Sequence, residues 1–124
     1  MQRKSLFMRR NRHSDHLRLL HIRDAAQLAI AFVSDADFNH FITDAKTYAA
    51  TIRQIEIIGE AVYHLSSEFK TTHDHIEWSK IEKTRHILIH EYYELSDIII
   101  WKIVTVHLPN LLEDIEPLIN LTSD

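Results

Sequence analysis

Residues 45–65 read Ala-Lys-Thr-Tyr-Ala-Ala-Thr-Ile-Arg-Gln-Ile-Glu-Ile-Ile-Gly-Glu-Ala-Val-Tyr-His-Leu, and this stretch decides the fold. Its apolar positions, Ala45, Tyr48, Ala49, Ile52, Ile55, Ile58, Val62 and Leu65, recur at threes and fours, the period of one helix face turned to a core. It also holds Gly59, the only glycine among the 124 residues. A glycine inside a helix costs about 1 kcal/mol against alanine. Gly59 therefore predicts a close approach by another backbone.

Outward from this helix the same pattern continues. A first helix is expected from His13 to about Val33, capped by Ser14, with Leu17, Leu20, Ile22, Ala25, Leu28, Ala29 and Phe32 facing the core. Phe38 and Phe41 pair in a short helical turn, and Asp44 stands near the start of the 45–65 helix. Residues 66–77 read as a polar connection. A third long helix spans about Trp78 to Tyr92, with Ile81, Leu88 and Ile89 as contacts. Ser96 caps a fourth, with Asp97 in its first turn, where negative charge is favourable. Ile98 to Val106 is apolar enough for burial on more than one side, and Pro109 kinks or restarts the helix. The expected architecture is all-α: four long helices plus a short one.

Composition excludes the rest. One Gly and two Pro are too few for hairpins or barrels. Phosphate-cradling loops need several glycines. Zero Cys removes disulfides, thiol nucleophiles and Cys-ligated zinc. No apolar run reaches the ~18 residues of a membrane span, and residues 1–10 lack the apolar core of a signal peptide. A cytoplasmic protein with no membrane partner is expected. The charge is lopsided: residues 1–23 carry seven basic side chains against one acidic, the remainder seven against seventeen. The expected division is a basic tail, 1–12, and a helical domain, 13–124. Such a tail either touches nucleic acid or is simply solvated.

The densest polar cluster is Arg85-His86-Ile87-Leu88-Ile89-His90-Glu91-Tyr92-Tyr93. Arg85 and Tyr92 are seven apart and share a helix face; His90 lies five from Arg85, about 140° around. One helix does not set Arg85 and His90 side by side, so a helix that ends near His90, or a second subunit that completes the cleft, would be needed. Histidine moves protons near neutral pH, and arginine grips phosphate and neutralises charge growing on it. Together they suit cleavage of a phosphodiester by an adjacent 2′-hydroxyl, which only RNA offers. Other readings compete. Arg and His on a helix are commonly surface or inter-helix hydrogen-bond groups. His86 and His90 at i, i+4 can ligate one metal ion, and His73-Asp74-His75 forms a second such candidate. Glu56 and Glu60 share a face and repel, so one would pair with a cation or face a dimer cleft.

Arg85-x-x-x-x-His90-x-Tyr92 resembles the R-x-x-x-x-H-x-Y signature of HepT-like proteins, a branch of the HEPN superfamily. Further segments match in order. Leu17-Arg18-Leu19-Leu20-His21-Ile22-Arg23-Asp24-Ala25 resembles the family's first helix, and Arg53-Gln54-Ile55-Glu56-Ile57-Ile58-Gly59-Glu60-Ala61 its N-L-E-I-I-G-E-A segment. Ile76-Glu77-Trp78-Ser79-Lys80-Ile81 is similar to I-P-W-x-x-I, and Trp101-Lys102-Ile103 with Leu108-Pro109-Asn110-Leu111 to the closing W-x-x-x…L-P-x-L. The likeness covers about residues 13–121.

The resemblance implies a HEPN-type helical homodimer, the toxin of a toxin–antitoxin pair, cleaving RNA without metal or other cofactor. It assigns Arg85 and His90 as catalytic, with His86 in support. It makes Tyr92 the residue to which an MntA-like nucleotidyltransferase antitoxin transfers AMP. The family often has Gly before that Tyr; here Glu91 stands there. The rival reading is a non-catalytic helical dimer that docks and regulates a nucleotidyltransferase.

Overall fold

A computed structural model describes the backbone of residues 2–91 and 96–123, and the side chains of all of these except residues 2–5 and 7. It is helical throughout, with no strand among the described residues: α1 (Gln2–Val33), α2 (Phe38–Thr43), α3 (Ala45–His64), α4 (Ser67–Thr72), α5 (Trp78–His90), α6 (Asp97–Lys102) and α7 (Leu108–Thr122). A π-helical segment, Ile103–His107, joins α6 to α7 without a break, so residues 97–122 form one long rod. The four long helices are therefore α1, α3, α5 and this rod. None is long and apolar enough to cross a membrane among the described residues.

The core forms where α1 packs on α3 and on α7, and α3 on α5. The buried frame of α1 is Leu19, Ile22, Ala26, Ala29 and Val33, with alanines that let α3 come close. This corrects the expected stripe: Leu17 (43 % exposed) and Leu28 (45 %) face outward, and Leu19 takes the core position. On α3, Ile52, Ile55, Ile58 and Val62 are buried as expected, as is Leu65 at its C-cap, while Ala45 and Ala49 are exposed. Phe41 is fully buried against the rings of Tyr48 (5.0 Å) and Trp101 (5.3 Å), so the short α2 plugs the gap between α3 and α6.

Caps set the boundaries. Asp44 accepts hydrogen bonds from the Thr47 amide (3.2 Å) and hydroxyl (2.7 Å), starting α3. Ser96 accepts from the Ile99 amide (3.2 Å) and starts α6, as its sequence position predicts. Two expectations fail. α1 begins at Gln2, so Ser14 lies mid-helix and caps nothing. The polar connection contains α4, a second short helix, which Ser66 caps through the Phe69 amide (3.2 Å).

Asp15 explains why α4 sits where it does. It falls in the buried frame of α1, four residues before Leu19, and is only 4 % exposed. Its carboxylate accepts from the Ser66 amide (2.8 Å) and hydroxyl (2.7 Å). At the same end, Arg12 donates to the carbonyls of Leu121 and Ser123 (both 3.2 Å), a cation on the unsatisfied C-terminus of α7.

Candidate active site on helix α5

α5 begins where Trp78, buried and donating its indole N–H to the His73 carbonyl (3.0 Å), anchors the chain. Leu88 is buried and Ile81 half-buried, which fixes the rotation of the helix on α3. That rotation turns Arg85 toward α3. A Cβ built on Gly59 would overlap Cβ of Arg85 and lie 3.1 Å from its Cγ and its Cδ. The close approach expected at Gly59 is thus made by an arginine stem, and the missing side chain is the notch that receives it. Arg85 is half-buried by this contact.

His86 and His90 point the other way. Both are exposed, and their rings are neighbours along α5, centroids 4.6 Å apart and planes tilted by 46°. Among the described residues, Arg85, His86 and His90 have no hydrogen-bond or ion-pair partner. The structure does not stack Arg85 on His90, in keeping with the 140° between them. Tyr92 lies outside the described residues.

His73 packs its ring on Phe69 (centroids 4.6 Å), and His75 stands 6.3 Å from His73. No group of three or more His, Asp or Glu side chains gathered to hold a metal exists among the described residues. Glu56 is half-buried and Glu60 exposed, and neither forms an ion pair among the described residues.

Three large apolar side chains are exposed on α5 and at the start of α6. Ile89, between the two histidines, is 43 % exposed; Ile98 is 67 % exposed and Ile99 49 %. Within one chain the rod at 98–106 is buried on one side only, through Ile100 and Val104, against the expectation of burial on several.

Residues 22–118, which hold α5 and the Gly59 notch, match the family model described as Ribonuclease HepT-like. The chain belongs to this family. The similar proteins include "Probable ribonuclease HepT" of Thermococcus cleftensis, 36 % identical over 80 % of this chain and 88 % of that one. Two proteins of Methanocaldococcus jannaschii, named there only as candidate RNases, are 35 % identical over 79 % of this chain and 90 % of theirs, and 39 % identical over 73 % and 74 %. No solved structure matches. The HepT-like resemblance seen in the motifs stands, and with it the ribonuclease class. Sequence reasoning noticed Gly59 and Arg85 separately; the contact between them was legible only once α3 and α5 were docked. Asp15 left a signal that went unused, an acid in the apolar frame of α1.

Proposed function

We propose that this HepT-like chain is an endoribonuclease that cleaves RNA without a metal, using Arg85 and His90. The observation that carries the reading is α5 itself: the stem of Arg85 seated in the Gly59 notch, and an exposed imidazole on the last turn. The RNA 2′-hydroxyl attacks its neighbouring phosphorus; the O2′–P bond forms and the P–O5′ bond breaks. Arg85 binds the non-bridging oxygens and neutralises the charge they gain. His90 handles the protons, taken from the 2′-hydroxyl and returned to the departing 5′ oxygen. His86 supports it.

The reading extends to a homodimer with the two α5 helices near its two-fold axis, supported by the exposed Ile89 on α5 itself and by exposed Ile98 and Ile99 at the start of α6, apolar side chains that a partner would cover. It also extends to a toxin role, with Tyr92 as the acceptor of AMP from a nucleotidyltransferase antitoxin. The Tyr92 oxygen would attack the α-phosphorus of ATP, releasing pyrophosphate, and the attached phosphate would pair with Arg85.

The deciding experiment incubates the full chain with RNA in EDTA. Wild type cleaves; His90→Ala and Arg85→Ala lose about 10²-fold or more, the usual scale for removing an acid–base group or a charge-stabilising donor. Equal activity in His90→Ala overturns the catalytic reading. An inert wild type that still binds a nucleotidyltransferase favours the docking reading. Incubated with that partner and ATP, Tyr92→Phe should gain no AMP and stay active; a gain of AMP removes Tyr92 from its role.

A further inference from the structure

We infer that His86 and His90 form a chelating site for a borderline divalent transition metal ion such as Zn²⁺, and that the bound metal switches off the proposed RNA cleavage. The two histidines are one helical turn apart on the same outer face of α5, both exposed, with ring centroids 4.6 Å apart. Two imidazole nitrogens bound to one tetrahedral ion at ~2.0–2.1 Å stand about 3.3 Å from each other. Rings whose centroids are 4.6 Å apart can reach that arrangement by turning about their side-chain bonds, without moving the helix. Neither ring has a hydrogen-bond partner to surrender among the described residues. No third protein ligand is gathered beside them there, so water completes the coordination. The site is thus open and reversible, unlike a closed structural zinc centre.

The ion expected is set by donor chemistry. Imidazole suits Zn²⁺, Cu²⁺ and Ni²⁺, with Cu²⁺ bound most tightly, whereas Mg²⁺ prefers oxygen. Chelation engages His90 directly. A nitrogen whose lone pair is held by metal cannot accept a proton, and the ring cannot turn to the substrate. The enzyme needs no metal and is inhibited by one. Binding stands on the geometry alone; inhibition rests on the ribonuclease reading of His90.

Two readouts separate these. Calorimetric titration of the full-length protein with Zn²⁺, without RNA, should give one site per chain. His86→Asn and His90→Asn should each weaken it by about 10²-fold, because the second donor acts at high effective concentration. His75→Asn, in the other histidine pair, should leave it unchanged. All three substituted positions are exposed, and circular dichroism checks that each variant folds. Unchanged affinity in His86→Asn, or loss in His75→Asn instead, overturns the site. The second readout is the ratio of RNA cleavage in EDTA to that in Zn²⁺, taken within each protein against a protein-free control. Wild type should be inhibited more than tenfold, more strongly by Cu²⁺ than by Zn²⁺ and not by Mg²⁺, and His86→Asn should lose the inhibition. Equal ratios in wild type and His86→Asn overturn the switch. No cleavage by wild type even in EDTA defeats the ribonuclease reading, and the titration still decides the site.

Discussion

Arg85 owes its position to an atom that is absent. Its Cβ, Cγ and Cδ occupy the space that a side chain at 59 would fill. Alanine at 59 gains about 1 kcal/mol in helix propensity. It must also push back a Cβ, which is fixed to the backbone of α5, and overpacking of this kind costs about 1–3 kcal/mol. Gly59→Ala is therefore expected to leave a folded protein with its melting temperature little changed or lowered by a few degrees. RNA cleavage should fall about tenfold or more, since small misplacements of a phosphate-binding group are expensive. Cleavage assays and thermal melts on one preparation check this; full activity would show that Arg85 has another route to the phosphate. Gly59 also marks how far sequence reaches at this scale. A lone glycine in a strong helix announces a close neighbour, but the neighbour is 26 positions away and only packing names it. Arg85, His86 and His90 were legible from their spacing. The outward direction of the two histidines was not, because it depends on Leu88 and Trp78 being the residues that seat α5.

At the scale of elements, the starts of α3 and α6 were legible because the capping side chain opens a long or strongly apolar helix. Asp44 and Ser96 start their helices through bonds three residues on, which sequence spacing shows. Ser14 failed because α1 continues through it to Gln2. α4 was missed because its partner Asp15 lies 51 residues upstream. Pro109 was read as a kink or restart, and the structure answers with the π segment Ile103–His107. A proline lacks an N–H and crowds the carbonyl four residues back, so a widened turn ahead of it keeps the rod continuous. The Asp44 cap carries a pH signature. Hydrogen bonds from the Thr47 hydroxyl and amide hold its carboxyl below the usual 3.8, as bonds from the His40 amide and ring do for Asp37. A carboxyl lowered on folding adds stability above its unfolded value and loses it as pH falls through the folded one. Asn at 44 keeps the accepting oxygen without the charge. Melting temperatures of wild type should exceed those of Asp44→Asn at pH 7, and the gap should close below about pH 4. A gap independent of pH would mean the charge contributes nothing.

Across the whole molecule, the basic start and the α5 motif sit on different parts of one charge distribution. Residues 2–11 carry α1 about 15 Å beyond Arg12. Arg10 is exposed there, and Arg12 donates to the end of α7. Deleting residues 1–11 spares that bond. If this arm holds RNA, every phosphate it neutralises adds about 0.7 to the log–log slope of binding against salt, and the deletion should flatten the slope by that much per phosphate. An unchanged slope makes the arm irrelevant to substrate. The larger question is how Arg85 and His90, about 140° apart on one helix, meet at one phosphate. Arg85 leans on α3 and His90 faces outward beside exposed Ile89, so a two-fold partner is the simplest source of the missing group. Each cleft would then combine Arg85 of one chain with His90 of the other. Arg85→Ala and His90→Ala, each inactive alone, are unfolded, mixed and refolded together. Half of the random dimers are hybrids, and each hybrid has one cleft with both groups intact and one with neither, so activity should return to about a quarter of wild type. Light scattering on the mixture reports the dimer. A dimer with no recovered activity would place both groups of each cleft on one chain; a monomer would remove the two-fold axis altogether.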